Sequence, residues 1–210
     1  MATYESLIKI KGAVGDLVFY NLNGKNVVRK KSGFNKTAFK KNASYEKVRQ
    51  NSSEFGHCSK IGKIIRNSLD FYIKAAGDPL LYQKFARVMT EIKDLDTVSE
   101  RGKRTVENGL KTIEGKNILT GFQLGEIENL STEVKIKGQR LYLNENNKAD
   151  EATIITIKLD SESYIAEHTE EKVFLSQPEA PFKKQFTKDD FLLYFVVLKK
   201  NNEITHMGFI

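Results

Sequence analysis

The sequence predicts an α+β protein with three parts: an N-terminal three-stranded antiparallel hairpin sheet, a central three-helix bundle and a C-terminal antiparallel β-sandwich, immunoglobulin-like in size. Three strand-like runs lie within residues 8–31, and an Asn-Gly turn separates the second from the third. Apolar residues then recur every three or four positions, and short β-rich runs follow. These observations predict a basic hairpin and helical domain at residues 1–116 and a β-sandwich domain at residues 117–210.

The stretch 8–31 predicts the N-terminal sheet. Ile8 and Ile10 alternate with lysines, which is typical of a strand with one face in water. Two further runs, at 17–20 and 27–29, are rich in β-branched and aromatic residues. Asn23-Gly24 lies between these runs, and both residues tolerate the positive φ of a type I′ turn. Three strands are therefore expected.

A basic segment with two phenylalanines follows the hairpin. Lys36, Lys40 and Lys41 are interleaved with Phe34 and Phe39 without a helical or strand period, so we expect an ordered loop or arm. Its cations could bind phosphates while its rings stack on bases. Alternatively, the rings anchor the loop to the core and the lysines face water.

A long helix is predicted to begin at Ser44, a good N-cap residue, and to end near Tyr72, with Gly77 as the stop. Apolar and small residues at three- and four-residue spacing indicate one buried stripe. The stripe consists of Val48, Phe55, Cys58, Gly62, Ile65, Leu69 and Tyr72.

Two more helices complete the predicted bundle. Asp78 and Pro79 are expected at the N-cap and first helical position of the second, and Thr97 and Glu100 have the spacing of a capping box that starts the third. The third helix should end at Gly115. Their apolar positions are Leu81, Phe85, Val88 and Ile92, then Val106, Leu110 and Ile113.

The C-terminal part contains short β-rich runs separated by polar turns, which predicts five or six strands in an antiparallel sandwich. The runs are 134–143, 153–159, 163–166, 172–175, 191–198 and 204–209. Pro178 and Pro181 lie in a link that should not belong to a central strand. The cysteine pair and tryptophan of antibody domains are absent.

Two glycine-marked motifs carry a resemblance to a known family. Gly12-x-x-Gly15-x-x-Val18 and Gly24-Lys25-x-Val27-Val28-Arg29 resemble an uncharacterised family of Bacteroidota proteins of about this length. The resemblance implies a glycine-marked hairpin, central helices and a C-terminal immunoglobulin-like sandwich ending in a strand pair within 191–210. It implies no activity, cofactor or catalytic residue.

The charge of the chain is unevenly distributed. The net charge is +7, but residues 1–66 carry 14 Lys/Arg against 4 Asp/Glu, whereas residues 117–210 carry 11 against 15. This asymmetry indicates an anionic partner, with nucleic acid the first choice, although lysines also simply solvate surfaces. The candidate nucleic-acid-binding residues are Lys25, Arg29, Lys30, Lys31, Lys36, Lys40, Lys41, Lys60, Lys63 and Arg66.

Residues with catalytic or metal-binding chemistry are few and scattered. His57, His168 and His206 lie far apart in the sequence, so no zinc-ligand spacing is visible. Cys58 is the only cysteine; it falls on the apolar stripe, and helical geometry turns it about 100° from its neighbour His57. We therefore expect no metal, no cofactor and a buried Cys58.

Neither the glycines nor the paired carboxylates indicate an enzyme. The motif 12–15 lies between strands and lacks the Lys-Ser/Thr and following helix of a phosphate-binding loop. The carboxylates of Asp189-Asp190 and Glu170-Glu171 are adjacent rather than facing, in a polar context. No small-molecule substrate is identified.

Three functions remain in order of preference. The first is a non-enzymatic nucleic-acid-binding protein; the second is a structural subunit of a phage-like particle or other large assembly, because free sheet edges pair with neighbouring chains. The third is a small hydrolase or transferase, which a pocket holding His57 beside a carboxylate of another helix would favour. No apolar run approaches about 18 residues and the start lacks a signal-peptide pattern, so we expect a cytoplasmic protein without a membrane partner.

Overall fold

The chain forms two compact units, unit 1 at Met1–Glu46 and unit 2 at Lys47–Ile210. The structure, a computed structural model, describes residues 2–6, 10–31, 36–130, 133–144, 147–177, 179–183, 185–187 and 190–210. In these residues it has six α-helices and three antiparallel sheets, which confirms the α+β class. The sequence suggested a division after residue 116, whereas the contacts divide the chain after residue 46.

Unit 1 contains a four-stranded antiparallel sheet with the order β1-β4-β3-β2. Asn23 and Gly24 join β3 to β4 with positive φ angles of 51° and 81°. Ile10 precedes β2 instead of lying in a strand, and Ile8 is outside the described residues. The strands are β1 (Ala2–Thr3), β2 (Gly12–Val14), β3 (Leu17–Leu22) and β4 (Lys25–Lys30).

The stretch after the sheet that contains Lys36, Lys40 and Lys41 is helical where it is described, and not a loop. Helix α1 spans Lys36–Lys41, and a 3₁₀ turn at Ala43–Tyr45 follows it. Asn42 caps this turn by accepting a hydrogen bond from the Ser44 N–H at 3.1 Å, so Ser44, which was expected to cap the long helix, lies inside the 3₁₀ turn.

Unit 1 has little core. Among its described residues only the Val27 side chain is buried, at 3% exposure, while Ile10, Val14, Leu17 and Leu22 are 41–64% exposed. Burial of one valine contributes only about 2 kcal/mol. The described part of unit 1 therefore leaves most of its apolar surface in water.

Unit 2 begins with five helices. The predicted first helix is two helices, because Leu69, with φ −118° and ψ 16°, interrupts the regular backbone. The predicted start of a helix at Thr97 is wrong: the last helices begin after Thr105 and Thr112, whose side chains cap them. The helices are α2 (Glu46–Ser68), α3 (Asp70–Ala76), α4 (Leu81–Asp94), α5 (Val106–Lys111) and α6 (Ile113–Thr120).

The buried stripe of α2 differs from the predicted one at its N-terminal end. Val48 and Phe55 are 51% and 62% exposed, whereas Glu54 is buried at 2%. Position 54 lies four residues before Cys58, about one helical turn, and therefore continues the stripe. Phe55 is rotated by about 100° around the helix axis from position 54. The predicted stripe is correct from Cys58 onward, where Gly62, Ile65, Leu69 and Tyr72 are all buried.

Two antiparallel sheets complete unit 2, with the orders β11-β10-β7-β8 and β5-β6-β9. The runs 163–166 and 172–175 belong to a single strand, β8. Pro181 lies in β9, whose described pairing is to β6 alone, and Pro178 is outside the described residues. The strands are β5 (Val134–Lys137), β6 (Arg140–Leu143), β7 (Glu151–Asp160), β8 (Ile165–Phe174), β9 (Glu179–Pro181), β10 (Leu192–Lys200) and β11 (Glu203–Phe209).

The central strands β7 and β10 of the four-stranded sheet are buried on both faces, whereas the edge strand β8 is mostly exposed. Ile155 and Phe195 belong to a core shared with the helices, whereas Ile154 and Val196 belong to a core shared with Leu141 of the small sheet. The arrangement fits a β-sandwich with helices on its outer face, and the immunoglobulin-like assignment stays a prediction. Because helices and sheet share one core, they form one unit.

Candidate functional site

The basic surface of unit 1 is the first candidate site. It comprises seven exposed cations, none of which forms an ion pair with a described acidic residue. All seven lie within residues 25–41, a 17-residue segment that contains no Asp or Glu. These residues, which we call the basic segment cations, are Lys25, Arg29, Lys30, Lys31, Lys36, Lys40 and Lys41.

Local structure distributes these cations over two elements. Lys25, Arg29 and Lys30 lie near the ends of β4, and the Lys31 N–H donates to the Asp16 carbonyl oxygen at 2.6 Å. Lys40 and Lys41 occupy the last turn of α1, where positive charge interacts favourably with the helix dipole. The segment therefore presents positive charge along its length.

The other three predicted cations lie on α2 in unit 2 and differ in their surroundings. The Lys60 ammonium lies 4.4 Å from the centre of the Tyr164 ring. The guanidinium of Arg66 lies over the rings of Tyr82 and Phe85, and its burial lowers its pKa. Lys63 is exposed. Lys60 and Arg66 thus already contact aromatic rings, whereas no described ring lies under a basic segment cation.

Phe39, which the sequence offered for base stacking, packs within unit 1. Its half-buried ring meets the ring of Tyr45 at 5.7 Å, edge to face. This contact supports the interpretation of Phe39 as an anchor. Phe34 lies outside the described residues.

A polar cleft in unit 2, with a volume of about 560 Å³, is the second candidate. This size lies within the usual range of ligand sites, roughly 300–1,000 Å³. The cleft is formed by α2, the segment 102–105, α5 and the β7–β8 turn. It is lined by Ser53, Glu54, His57, Gly102, Lys103, Arg104, Thr105, Glu107, Asn108, Lys111, Ser161, Glu162 and Tyr164.

Glu54 is the centre of a buried charge network beside this cleft. Its carboxylate accepts from Arg104 Nε and Nη2 at 2.9 and 2.8 Å, from Lys93 Nζ at 2.8 Å and from the Gly102 N–H at 2.6 Å. The bonds from Arg104 outweigh burial and lower the pKa of Glu54 to about 2. With four donors the carboxylate is occupied, so its role here is to hold the segment 102–104 against α2 and α4.

Asp96 organises the same segment from inside. Its carboxylate accepts from the N–H groups of Val98, Ser99 and Thr105 at 2.9–3.0 Å, and from Asn108 Nδ2 at 3.2 Å. Burial opposes ionisation, but these bonds hold the pKa of Asp96 well below its usual range. The bonds from Val98 and Ser99 have the pattern of a helix N-cap, but the backbone after Thr97 is not helical, and the bond from Thr105 ties the far end of this loop to Asp96.

His57 is engaged at both ring nitrogens. Nε2 accepts from the Val106 N–H at 3.1 Å, so the neutral ring carries its proton on Nδ1, which donates to the Tyr164 hydroxyl oxygen at 3.2 Å. Burial lowers the pKa of His57, Glu107 opposes this effect and Lys60 adds to it. His57 is therefore neutral at pH 7 and caps the start of α5.

The cleft meets the condition set for the hydrolase or transferase hypothesis, because His57 lies beside carboxylates of α2 and α5. Those carboxylates are paired, Glu54 with the donors above and Glu107 with Lys111 at 3.1 Å. Proton transfer by His57 would require the loss of one of its two hydrogen bonds. The geometry thus gives this hypothesis a place in the fold, but both of these carboxylates are already paired.

Cys58 and the other histidines do not extend the cleft chemistry. Cys58 is buried, as predicted, and burial raises the pKa of its thiol to about 11. His168 is exposed, and His206 Nε2 lies 3.0 Å from Glu128 Oε2. In the described ranges no three His, Cys, Asp or Glu side chains are grouped for a metal ion.

Sequence reasoning missed Glu54, Lys93, Asp96 and Arg104. The one available signal was the position of Glu54 on the repeat of the α2 stripe.

Comparison with protein-family models, curated proteins and solved structures finds no match to the chain. None of the helices in the described ranges has the length and apolarity needed to span a bilayer.

Proposed function

We propose that the protein is a non-enzymatic binding protein whose basic N-terminal unit engages the phosphate backbone of nucleic acid. The observation that carries the proposal is the basic segment: seven exposed cations without acidic partners among the described residues. Unit 1 holds 9 of the 34 Lys/Arg and 3 of the 27 Asp/Glu, which leaves 25 and 24 for unit 2. Nearly all of the net charge of +7 thus belongs to unit 1.

Phosphate binding follows from the physics of such a surface. Cations that neutralise phosphates release condensed counterions, so the affinity falls steeply with salt. Contacts of this kind position a nucleic acid without reading its sequence. Lysines and arginines without an ion pair among the described residues give up no such pair when they bind an external anion.

The test is fluorescence anisotropy with a labelled oligonucleotide at about 50 and 200 mM salt. The triple variant Arg29→Glu, Lys30→Glu, Lys31→Glu should bind at least about tenfold more weakly, because three phosphate contacts become repulsive. The control variant reverses three exposed lysines on strands of unit 2, Lys135→Glu, Lys137→Glu and Lys200→Glu.

Both triple variants change the net charge by the same amount, so they separate local binding from overall attraction. We expect near wild-type affinity for the control. Equal losses in the two variants would show that only the net charge matters. Absence of binding by the wild-type chain at low salt would overturn the proposal.

A structural subunit of a larger assembly is the second candidate, favoured by exposed apolar side chains on unit 1. Val14 and Leu22 are 64% and 50% exposed on a sheet with one buried side chain among its described residues. The ten-residue strand β8 also ends its sheet, and exposed strand edges pair with other chains.

Light scattering on nuclease-treated protein tests the assembly. Oligomers that dissociate in the variant Val14→Gln, Leu22→Gln, but persist in Val98→Gln, Ile113→Gln, would support it. The latter residues are 87% and 74% exposed on unit 2. A strict monomer at high concentration would count against it.

A further inference from the structure

The two faces of the unit 1 sheet differ in exposure. Successive strand residues point to opposite faces, so Val27 and Val28 of β4 lie on different sides. Val27 is buried, whereas Val28 is partly exposed. Phe19 of β3 pairs directly with Val28 and therefore shares the more open side. We call this side the open face.

Two aromatic rings lie together on the open face. The Tyr4 ring meets the Phe19 ring edge to face, with 5.7 Å between the ring centres. Both side chains are half-exposed. The partner of Phe19 in β2 is Gly12, and even an added Cβ there would meet nothing within 4 Å. No side chain from β2 covers the ring of Phe19 at this register position.

Polar groups surround the rings on the same face. Asn21 and Asn26 face each other across β3 and β4, with 3.4 Å between the Asn21 amide nitrogen and the Asn26 amide oxygen. Lys30 shares the face, because it pairs with Leu17 two residues before Phe19. The face therefore combines rings for stacking, amides for base edges and a cation for phosphate.

We propose that the open face binds single-stranded nucleic acid by stacking bases on Tyr4 and Phe19, an inference that rests on the proposed function and adds a strand preference. Bases in a duplex are stacked on one another and cannot reach a ring, whereas the bases of a single strand can. Phosphates beside stacked bases would lie near Lys30, which shares this face. Phosphate binding alone would need no exposed ring.

The test compares a labelled oligothymidylate with a duplex of equal length. The wild-type chain should prefer the single strand, and Phe19→Leu should weaken single-strand binding about tenfold, the usual loss for a stacked base. Duplex binding and its salt dependence should stay unchanged. The matched control is Tyr20→Leu, which removes a ring from the opposite face of the same strand.

A second variant guards against loss of structure in Phe19→Leu. Tyr4 follows β1, and Tyr4→Leu removes the other ring from the end of a strand. Equal affinity for both oligonucleotides, or affinity unchanged in both ring variants, would overturn the strand preference and leave electrostatic binding intact. If the wild-type chain bound neither oligonucleotide, both the nucleic-acid-binding proposal and the strand preference would be overturned.

Discussion

Unit 1 and unit 2 differ in where their charged side chains find partners. In unit 2, Glu54, Lys93 and Asp96 are buried; Glu54 accepts a hydrogen bond from Lys93, and Asp96 accepts one from the Thr105 N–H. Positive and negative charges nearly balance there. In unit 1, seven cations lie in water without described acidic partners. Buried charges persist only when paired, whereas exposed ones contribute little to stability. The difference indicates that charge supports the fold of unit 2 and is available to a partner in unit 1.

The largest effect should come from breaking the buried network of unit 2. Glu54→Gln removes the buried carboxylate that Lys93 and Arg104 share and leaves them with Asp94, whose side chain is 52% exposed. Loss of one partner of a buried ion pair costs about 3–5 kcal/mol. Urea unfolding followed by circular dichroism measures the loss. The control is Glu91→Gln, which breaks an exposed pair with Arg87 and should cost about 0.5 kcal/mol or less.

Equal costs for the two substitutions would contradict the comparison between buried and exposed charges.

The network around Glu54 could not be predicted from the sequence. Apolar periodicity found the stripe from Cys58 onward but treated Glu54 as surface, because a charged residue on a buried stripe is recognised only through its partners. Arg104 lies 50 residues away, and no local pattern joins the two.

Glycines offer the second test, because α2 and α5 respond oppositely to the same substitution. A Cβ on Gly109 would lie 1.9 Å from the carbonyl oxygen of Ile92, where α5 crosses α4, so Gly109→Ala should destabilise by about 1–3 kcal/mol or more. A Cβ on Gly56 would meet nothing within 4 Å, so Gly56→Ala should stabilise α2 by up to about 1 kcal/mol. Thermal unfolding of both variants measures the signs, and a shared sign would contradict the packing described.

Local turn chemistry was more predictable than long-range pairing. Asn23-Gly24 and Gly77 were identified from sequence, and each takes the positive φ its turn needs. Thr97 and Glu100 satisfied the spacing of a capping box, but the backbone there is not helical, and Asp96 instead accepts a hydrogen bond from the distant Thr105 N–H. Local patterns therefore predicted the turns, but they did not reveal a bond that spans nine residues.

Acid should weaken unit 2 through His57, with a smaller effect than the glycine clash. Its folded pKa lies below the ordinary 6.5, so the unfolded chain binds the proton first and stability falls as the pH decreases through 6.5. Protonation also places N–H against the Val106 N–H. His57→Gln, whose amide both accepts and donates, should flatten this dependence in urea unfolding between about pH 7 and 5.

Two controls keep the assignment to His57 specific. His168→Gln changes an exposed ring, and His206→Gln changes one beside Glu128. We expect the His57→Gln profile to differ from both. Equal flattening in all three variants would show that general charge, rather than the cap of α5, governs the acid response.

The smallest effect should follow reversal of charge in unit 1. Arg29→Glu, Lys30→Glu and Lys31→Glu remove no described ion pair and relieve repulsion among neighbouring cations. The unfolding free energy of unit 2 should change by less than about 0.5 kcal/mol, since surface substitutions away from bonded groups are nearly neutral. Urea unfolding and amide hydrogen exchange across residues 47–210 measure it. A loss above about 1 kcal/mol would mean that the fold itself uses these cations. Their availability to phosphates would then lose its physical basis, because each cation would have to leave a stabilising contact to bind one.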